Sequence, residues 1–207
     1  MDKEKILKEY FKNYNLENKD FEDMVEKSYF KEFNKNTILD DCLGFVIVLK
    51  GGFRAFILGQ NAKEITVFKL KQNEECVICS HCIFETISYN LTLESFDDTQ
   101  ILVVPVKIYS QLKDKYPLIA NYTLNLIAKR FNSLINILEQ ALFTPLHHRV
   151  KMFLKENAKE GKITFTHEEI ALHLGSTREV ISRILKTMQK EGFIQQNRKE
   201  ITLLKDL

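Results

Sequence analysis

Residues 168–194 read EEIALHLGSTREVISRILKTMQKEGFI, and the punctuation of this stretch sets out two short helices joined by a turn. Just upstream, Thr166-His167-Glu168-Glu169 has the form of a capping box, Thr166 capping and Glu169 reaching back, followed by apolar Ile170, Ala171 and Leu174. Gly175 ends that helix. Ser176-Thr177-Arg178-Glu179 offers a second capping box at once. Val180, Ile181, Ile184, Leu185 and Met188 then recur with the period of a helix that stops at Gly192. Two capped helices with a glycine between them make a helix-turn-helix, in which the first helix braces the second. Residues 193–196 and 200–204, around Asn197-Arg198-Lys199, add a small hairpin, which predicts a winged helix.

The second helix carries the chemistry of a DNA reader. Arg178, Glu179, Ser182 and Arg183 lie in its first turns, the end that meets base edges when a helix enters the major groove. Arginine matches the paired acceptors of guanine, glutamate the amino donor of cytosine, and serine either a base or a phosphate. Thr177, at the mouth of the helix, completes the expected DNA-contact set. The competing reading is that Glu179 only caps, Arg178 is solvated and the winged helix binds protein.

Outward from this stretch, the charge balance changes along the chain. Residues 1–143 carry 18 Lys/Arg against 20 Asp/Glu, a net of −2, and residues 144–207 carry 12 against 8, a net of +4. The basic third, which holds four of the five histidines, would draw a polyanion. With 44% hydrophobic and 28% charged residues over 207 positions, the chain has enough apolar surface for one large domain or two small ones and is not a disordered sequence. No apolar run approaches the ~18 residues that cross a bilayer. The expected location is cytoplasmic, with no membrane partner.

The middle of the chain is β-prone. Residues 45–49 (FVIVL), 53–58 (FRAFIL) and 65–70 (ITVFKL) are separated by Gly51-Gly52 and Gly59-Gln60-Asn61, and residues 87–94 alternate apolar and polar. Short strands at tight turns predict a barrel or roll, preceded by an amphipathic helix over residues 4–14. After Pro117 the pattern becomes helical. Leu124, Ile127, Phe131, Leu134, Leu138 and Ala141 recur at gaps of 3 and 4, a heptad seam, while Ile119, Tyr122, Leu126, Ile135 and Leu142 lie off it and ask for a second partner. Either the helix is buried in one domain's core, or Leu124, Ile127, Phe131, Leu134 and Leu138 form a dimer interface and the other flank packs on the roll. Its length favours the dimer. Thr144-Pro145 breaks this helix, with Thr144 as cap and Pro145 first in a helix over residues 146–157. The expected fold is therefore α+β: a sensor roll with its dimerisation helix over 1–143, the helix at about 117–143, and a winged helix-turn-helix over 144–207.

The stretch EEIALHLGSTREVISRILKTMQKEGFI resembles the helix-turn-helix of the Crp/Fnr family of bacterial transcription regulators, whose reading segment has the form T-R-E-x-V-S-R-x-L-K. KGGFRAFILGQNAKEITVFKLKQNEECVI is similar to that family's cyclic-nucleotide-binding-like β-roll, and the seam helix to its dimer helix. The resemblance implies a homodimer on a palindromic site in double-stranded DNA, with Arg178, Glu179, Arg183 and Ser182 reading bases. It also implies control by an effector in the roll, with RNA polymerase a candidate further partner.

One departure bears on the effector. Cyclic-nucleotide binders of the family hold the phosphate with an arginine in the roll beside a Gly-Glu pair, whereas no arginine occurs over residues 55–129 and Glu74-Glu75-Cys76 stands where that cassette should begin. Two carboxylates repel an anion, so cyclic AMP is not the expected effector. In its place stand Cys76, Cys79, His81 and Cys82, with Cys42 distant in sequence. C-x-x-C spacing can serve an iron-sulfur or other metal centre, with Cys42 or His81 completing four ligands, or a redox switch, and haem is a further alternative. Core packing is the alternative, since cysteine is often buried and an extended segment would turn Cys79 away from Cys76 and Cys82. Other apparent sites fail on spacing. His167 and His173 are six apart and cannot share a zinc-binding helix face, His147 and His148 diverge, and no phosphate loop or nucleophile motif occurs. No enzyme is expected; the rival classes are a small-molecule or redox signalling module that does not bind DNA, and a thiol redox enzyme built on residues 76–82.

Overall fold

The computed structural model describes residues 2–39, 43–59, 64–78, 91–197 and 200–205. Helix α1 (Lys3–Phe11) starts on Asp2, whose carboxylate accepts from the Glu4 and Lys5 amides, and ends three residues short of the expected limit. Helix α2 (Asn18–Lys27) follows, then strands β1 (Tyr29–Phe33), β2 (Ile38–Leu39), β3 (Gly44–Lys50), β4 (Gly52–Leu58), β5 (Glu64–Lys71), β6 (Glu75–Ile78), β7 (Thr92–Ser95) and β8 (Thr99–Pro105). The expected alternating strand over residues 87–94 is described only from its Thr92 end onward; its earlier residues, through Asn90, lie outside the described ones.

The β-strands form two four-stranded sheets, in the orders β1-β8-β3-β6 and β2-β7-β4-β5. Strand β3 reads as an unbroken apolar run because both its faces are covered. Val46 and Val48 meet Phe53, Leu70, Cys76, Ile101 and Val103, drawn from both sheets. Phe45, Ile47 and Leu49 meet Leu7, Phe11 and Met24 of α1 and α2, and the helices α3 (Val106–Lys115) and α4 (Pro117–Phe143). The first sheet is thus the middle layer of a roll. Gly51 makes the β3–β4 turn at φ +69°, where a Cβ would stand 2.5 Å from the Asp98 carbonyl oxygen.

The 27-residue α4 places Ile119, Thr123, Leu126 and Arg130 on its buried face, with Tyr122 packed at the edge of that core. Ile135 and Leu142, expected on the packed flank, are exposed instead: they fall after the stretch that this core reaches. Leu124, Phe131 and Leu138 of the heptad seam are also exposed, and Ile127 and Leu134 are half-buried.

Helix α5 (Leu146–Asn157) has the expected bounds, with Pro145 and not Thr144 as its cap. The Thr144 amide still bonds to the Gln140 carbonyl at 3.0 Å, so its backbone belongs to the last turn of α4. The Pro145 carbonyl accepts from His148 and Arg149. Then come β9 (Lys162–Ile163), α6 (His167–His173), α7 (Arg178–Lys190), β10 (Ile194–Asn197) and β11 (Glu200–Leu203), the three strands ordered β10-β11-β9. Their core is Val150, Phe153 and Leu154 of α5, Ile170 and Ala171 of α6, Ile181, Leu185 and Met188 of α7, with Ile163, Ile194 and Ile201 beneath. The chain resolves into two compact units, residues 1–55 with 68–133 and residues 56–67 with 134–207. No helix of the described residues is long and apolar enough to cross a membrane.

Candidate nucleic-acid interface

Helix α6 is held at its start by the expected reciprocal box: the Thr166 amide donates to Glu169 Oε2 at 2.7 Å and the Glu169 amide to Thr166 Oγ1 at 3.2 Å. The second expected box does not form. The Ser176 amide is committed to the Ala171 carbonyl at 2.9 Å, closing the first helix, so the cap of α7 falls on Thr177 and its third helical residue is Val180, which has no carboxylate to return. Thr177 makes no side-chain capping bond, and Glu179 is left free of that duty. The turn runs through Gly175 at φ +65°, where a Cβ would stand 2.6 Å from Ile65 of the same compact unit.

The opposite faces of α7 separate sharply. Ile181, Leu185 and Met188 are buried, whereas Thr177, Arg178, Glu179 and Arg183 are exposed and Ser182 is half-buried. Among the described residues, none pairs with the side chain of Arg178, Glu179 or Arg183. Lys186, eight positions after Arg178, joins the same exposed face, an addition that helical spacing makes legible once the start of α7 is known. A set of exposed polar side chains on a rigidly backed helix can be offered to a polar surface without first breaking internal bonds.

Contacts on two flanks aim this helix. Arg149 of α5 donates from Nη2 to the Leu174 carbonyl at 2.8 Å, tying the C-terminal end of α6 just before the glycine turn. Sequence reading passed over Arg149, because its partner lies 25 residues away. On the other flank, His167 Nε2 and Gln196 Oε1 lie 2.9 Å apart, and the Gln196 amide donates to Gln189 Oε1 at 3.2 Å, fastening the β10–β11 wing to both helices. The wing tip residues Arg198 and Lys199 lie outside the described ones.

Of the expected effector residues, Cys76 is buried between the two sheets of the roll as a free thiol. Burial pushes its pKa up, against the pull of the neighbouring Arg130 guanidinium, so the thiol is neutral and poorly nucleophilic. Cys42, Cys79, His81 and Cys82 lie outside the described residues, and no group of three His, Cys, Asp or Glu side chains suited to a metal occurs among the described ones. Arg130, the first arginine after the arginine-free residues 55–129, reaches the roll from α4: its guanidinium carbon lies 4.4 Å from the Phe68 ring centroid.

Residues 147–206 match the Crp-like helix-turn-helix domain. The crystal structure of a transcriptional regulator of the Crp/Fnr family from Eubacterium rectale superposes with a TM-score of 0.89 at 32% identity, covering 95% of this chain and 94% of that one. The cyclic AMP receptor protein of Thermus thermophilus is 28% identical over 102 residues, 48% of this chain and 47% of the relative. The regulatory protein HlyX of Actinobacillus pleuropneumoniae is 29% identical over 120 residues, 53% and 50% respectively, so the chain matches about half the length of these two curated relatives. With a winged helix-turn-helix of matching type and a relative alike over almost its whole length, the chain belongs to the Crp/Fnr family of DNA-binding transcription regulators, which are not enzymes.

Proposed function

We propose that this regulator works as a homodimer on a palindromic promoter site, inserting the start of α7 from each copy into successive major grooves. The single observation that carries this reading is the unpaired, exposed row of Arg178, Glu179 and Arg183 on a helix whose other face is packed. Arg178, Glu179 and Arg183 would read base edges, Ser182 a base or phosphate, and Thr177 with Lys186 the phosphate backbone. The seam of α4, with Leu124, Phe131 and Leu138 exposed and Ile127 and Leu134 half-buried, supports the dimer. Two copies would then set half-sites about one helical turn, roughly 34 Å, apart. The sensor part ends at Thr144-Pro145, where the absence of a proline N–H lets the DNA-reading part reorient without unfolding α4. The effector acts in the roll and is not cyclic AMP, and the DNA-bound dimer presents itself to RNA polymerase.

Selection from a random duplex pool tests the DNA reading. Arg178→Ala and Glu179→Ala should each lose about 1 to 3 kcal/mol at one base-pair position per half-site, whereas Lys186→Ala should weaken all sequences alike and flatten the salt dependence. An unchanged base preference in both Arg178→Ala and Glu179→Ala overturns the assignment of α7.

A further inference from the structure

Helices α6 and α7 begin alike and part at one residue. Each has a threonine as cap and a glutamate at its second helical position, Thr166 and Glu168 in α6, Thr177 and Glu179 in α7. At the third position α6 has Glu169, which closes its capping box, and α7 has Val180. A glutamate there would return a bond to the Thr177 amide and suit the positive end of the helix dipole. Valine does neither, and it is the poorer helix former. Local stability is therefore given up at the start of α7, and the side chain that replaces it is not part of the unit's apolar core. Val180 is 38% exposed and is the one apolar side chain among the described, exposed residues of α7, the rest being charged, amide or hydroxyl side chains. A residue that breaks a local rule without a compensating contact in the folded chain marks a position kept for function.

The place of Val180 on the helix says what it would meet. At about 100° per residue it stands roughly 60° from Arg183, on the flank away from Ser182 and Lys186, with half-buried Ile184 one turn along the same edge. It thus borders the charged row that carries the DNA reading. An apolar protein surface is a poor match for one valine set among Arg178, Arg183 and Lys186, whereas a duplex answers both chemistries: phosphates and base acceptors meet the cations, and the C5-methyl group of thymine is the apolar group that the major groove presents. The branched side chain is held in few rotamers, so it loses little freedom in making such a contact.

We propose that Val180 is a specificity-determining residue, whose methyl groups meet the C5-methyl group of one thymine in each half-site, adjoining the base pair that Arg183 faces. The proposal rests on the reading of α7 as the helix in the major groove and adds to it a base position read by apolar contact rather than by hydrogen bonds. Valine occupies the position that the T-R-E-x-V-S-R pattern leaves open, so this preference belongs to this chain and not to the pattern.

The test uses the full chain and the duplex it selects best from a random pool. Each thymine of the half-site is replaced in turn, in both half-sites, by deoxyuridine, which removes the methyl group and leaves every hydrogen-bonding edge in place. At one thymine wild type should bind roughly fourfold more weakly per half-site, about fifteenfold for the palindrome, the effect of withdrawing one methyl group from apolar contact. Val180→Ala, a better helix former that keeps the fold, should bind the thymine duplex more weakly and lose all discrimination between thymine and deoxyuridine at that position. Its preferences at the positions read by Arg178 and Glu179 should be unchanged. Indifference of wild type to deoxyuridine at every thymine, or an equal loss in Val180→Ala, overturns the contact. A selected half-site with no thymine beside the position altered by Arg183→Ala has the same force. The two readings fail separately: a base preference that ignores Arg178→Ala and Glu179→Ala overturns the assignment of α7 itself, whereas a preference altered by those substitutions, together with indifference to deoxyuridine, overturns Val180 alone.

Discussion

Replacing Phe131 by glutamate puts the proposed dimer seam to its most direct test. The side chain is 59% exposed in the single chain, so of the ~200 Å² that a phenylalanine buries, about 120 Å² remains open on each copy. At ~25 cal/mol per Å² this area contributes about 3 kcal/mol per copy and about 6 kcal/mol where both copies meet around a twofold axis. Part of that sum is offset by the cost of bringing two copies together, which the whole interface shares, and part is restored by a carboxylate that would otherwise be buried without a partner. The dimer should therefore weaken by at least two orders of magnitude, each order being about 1.4 kcal/mol. The monomer should be unharmed, because Phe131 is outside the apolar core formed by Ile119 and Leu126 on the other face of α4. Sedimentation equilibrium over a wide concentration range, with circular dichroism to certify the fold, reads both quantities. A Phe131→Glu protein that is as dimeric as wild type at every concentration would show that the seam is not the interface.

Thr166→Ala removes one half of the capping box at α6 and should cost about 1 kcal/mol, seen as a fall of a few degrees in Tm, with specific DNA binding intact at low temperature. An unchanged Tm would mean that the box is dispensable. Near the other end of the chain, hydrogen bonds from Lys115 and Tyr116 hold the Asp20 carboxyl below its usual range. A depressed folded-state value means the contribution is present above the unfolded carboxylate range, near pH ~4, and is lost as pH falls through the lower folded value. Wild type should therefore lose Tm more steeply on acidification than Asp20→Asn, and parallel acid limbs would refute the linkage.

Much of the DNA-reading unit was legible because its instructions are local. The Thr166 box, the glycine stops at Gly175 and Gly192 and the spacing of Ile181, Leu185 and Met188 act within one or two helical turns, where a hydrogen bond or a burial face is decided by near neighbours. Periodicity likewise places Leu124, Phe131 and Leu138 on one stripe, and all three are exposed in the folded chain. Even here the local reading failed where two instructions competed for one amide. Ser176 was a plausible cap until its N–H was taken by Ala171, and that moved the start of α7 by one residue and released Glu179. What only the tertiary structure decided are the pairings between distant residues. Arg149 finds the Leu174 carbonyl, Cys76 falls between two sheets, and Arg130 stacks on Phe68 and reaches Glu75, 62 and 55 positions earlier in the chain. Helical spacing puts Arg130 on the stripe of Ile119, Thr123 and Leu126, but a charged residue at the end of such a stripe reads as solvated. Its burial comes with the approach of Phe68 of β5 and Glu75 of β6, contacts that exist only once those three elements are packed together.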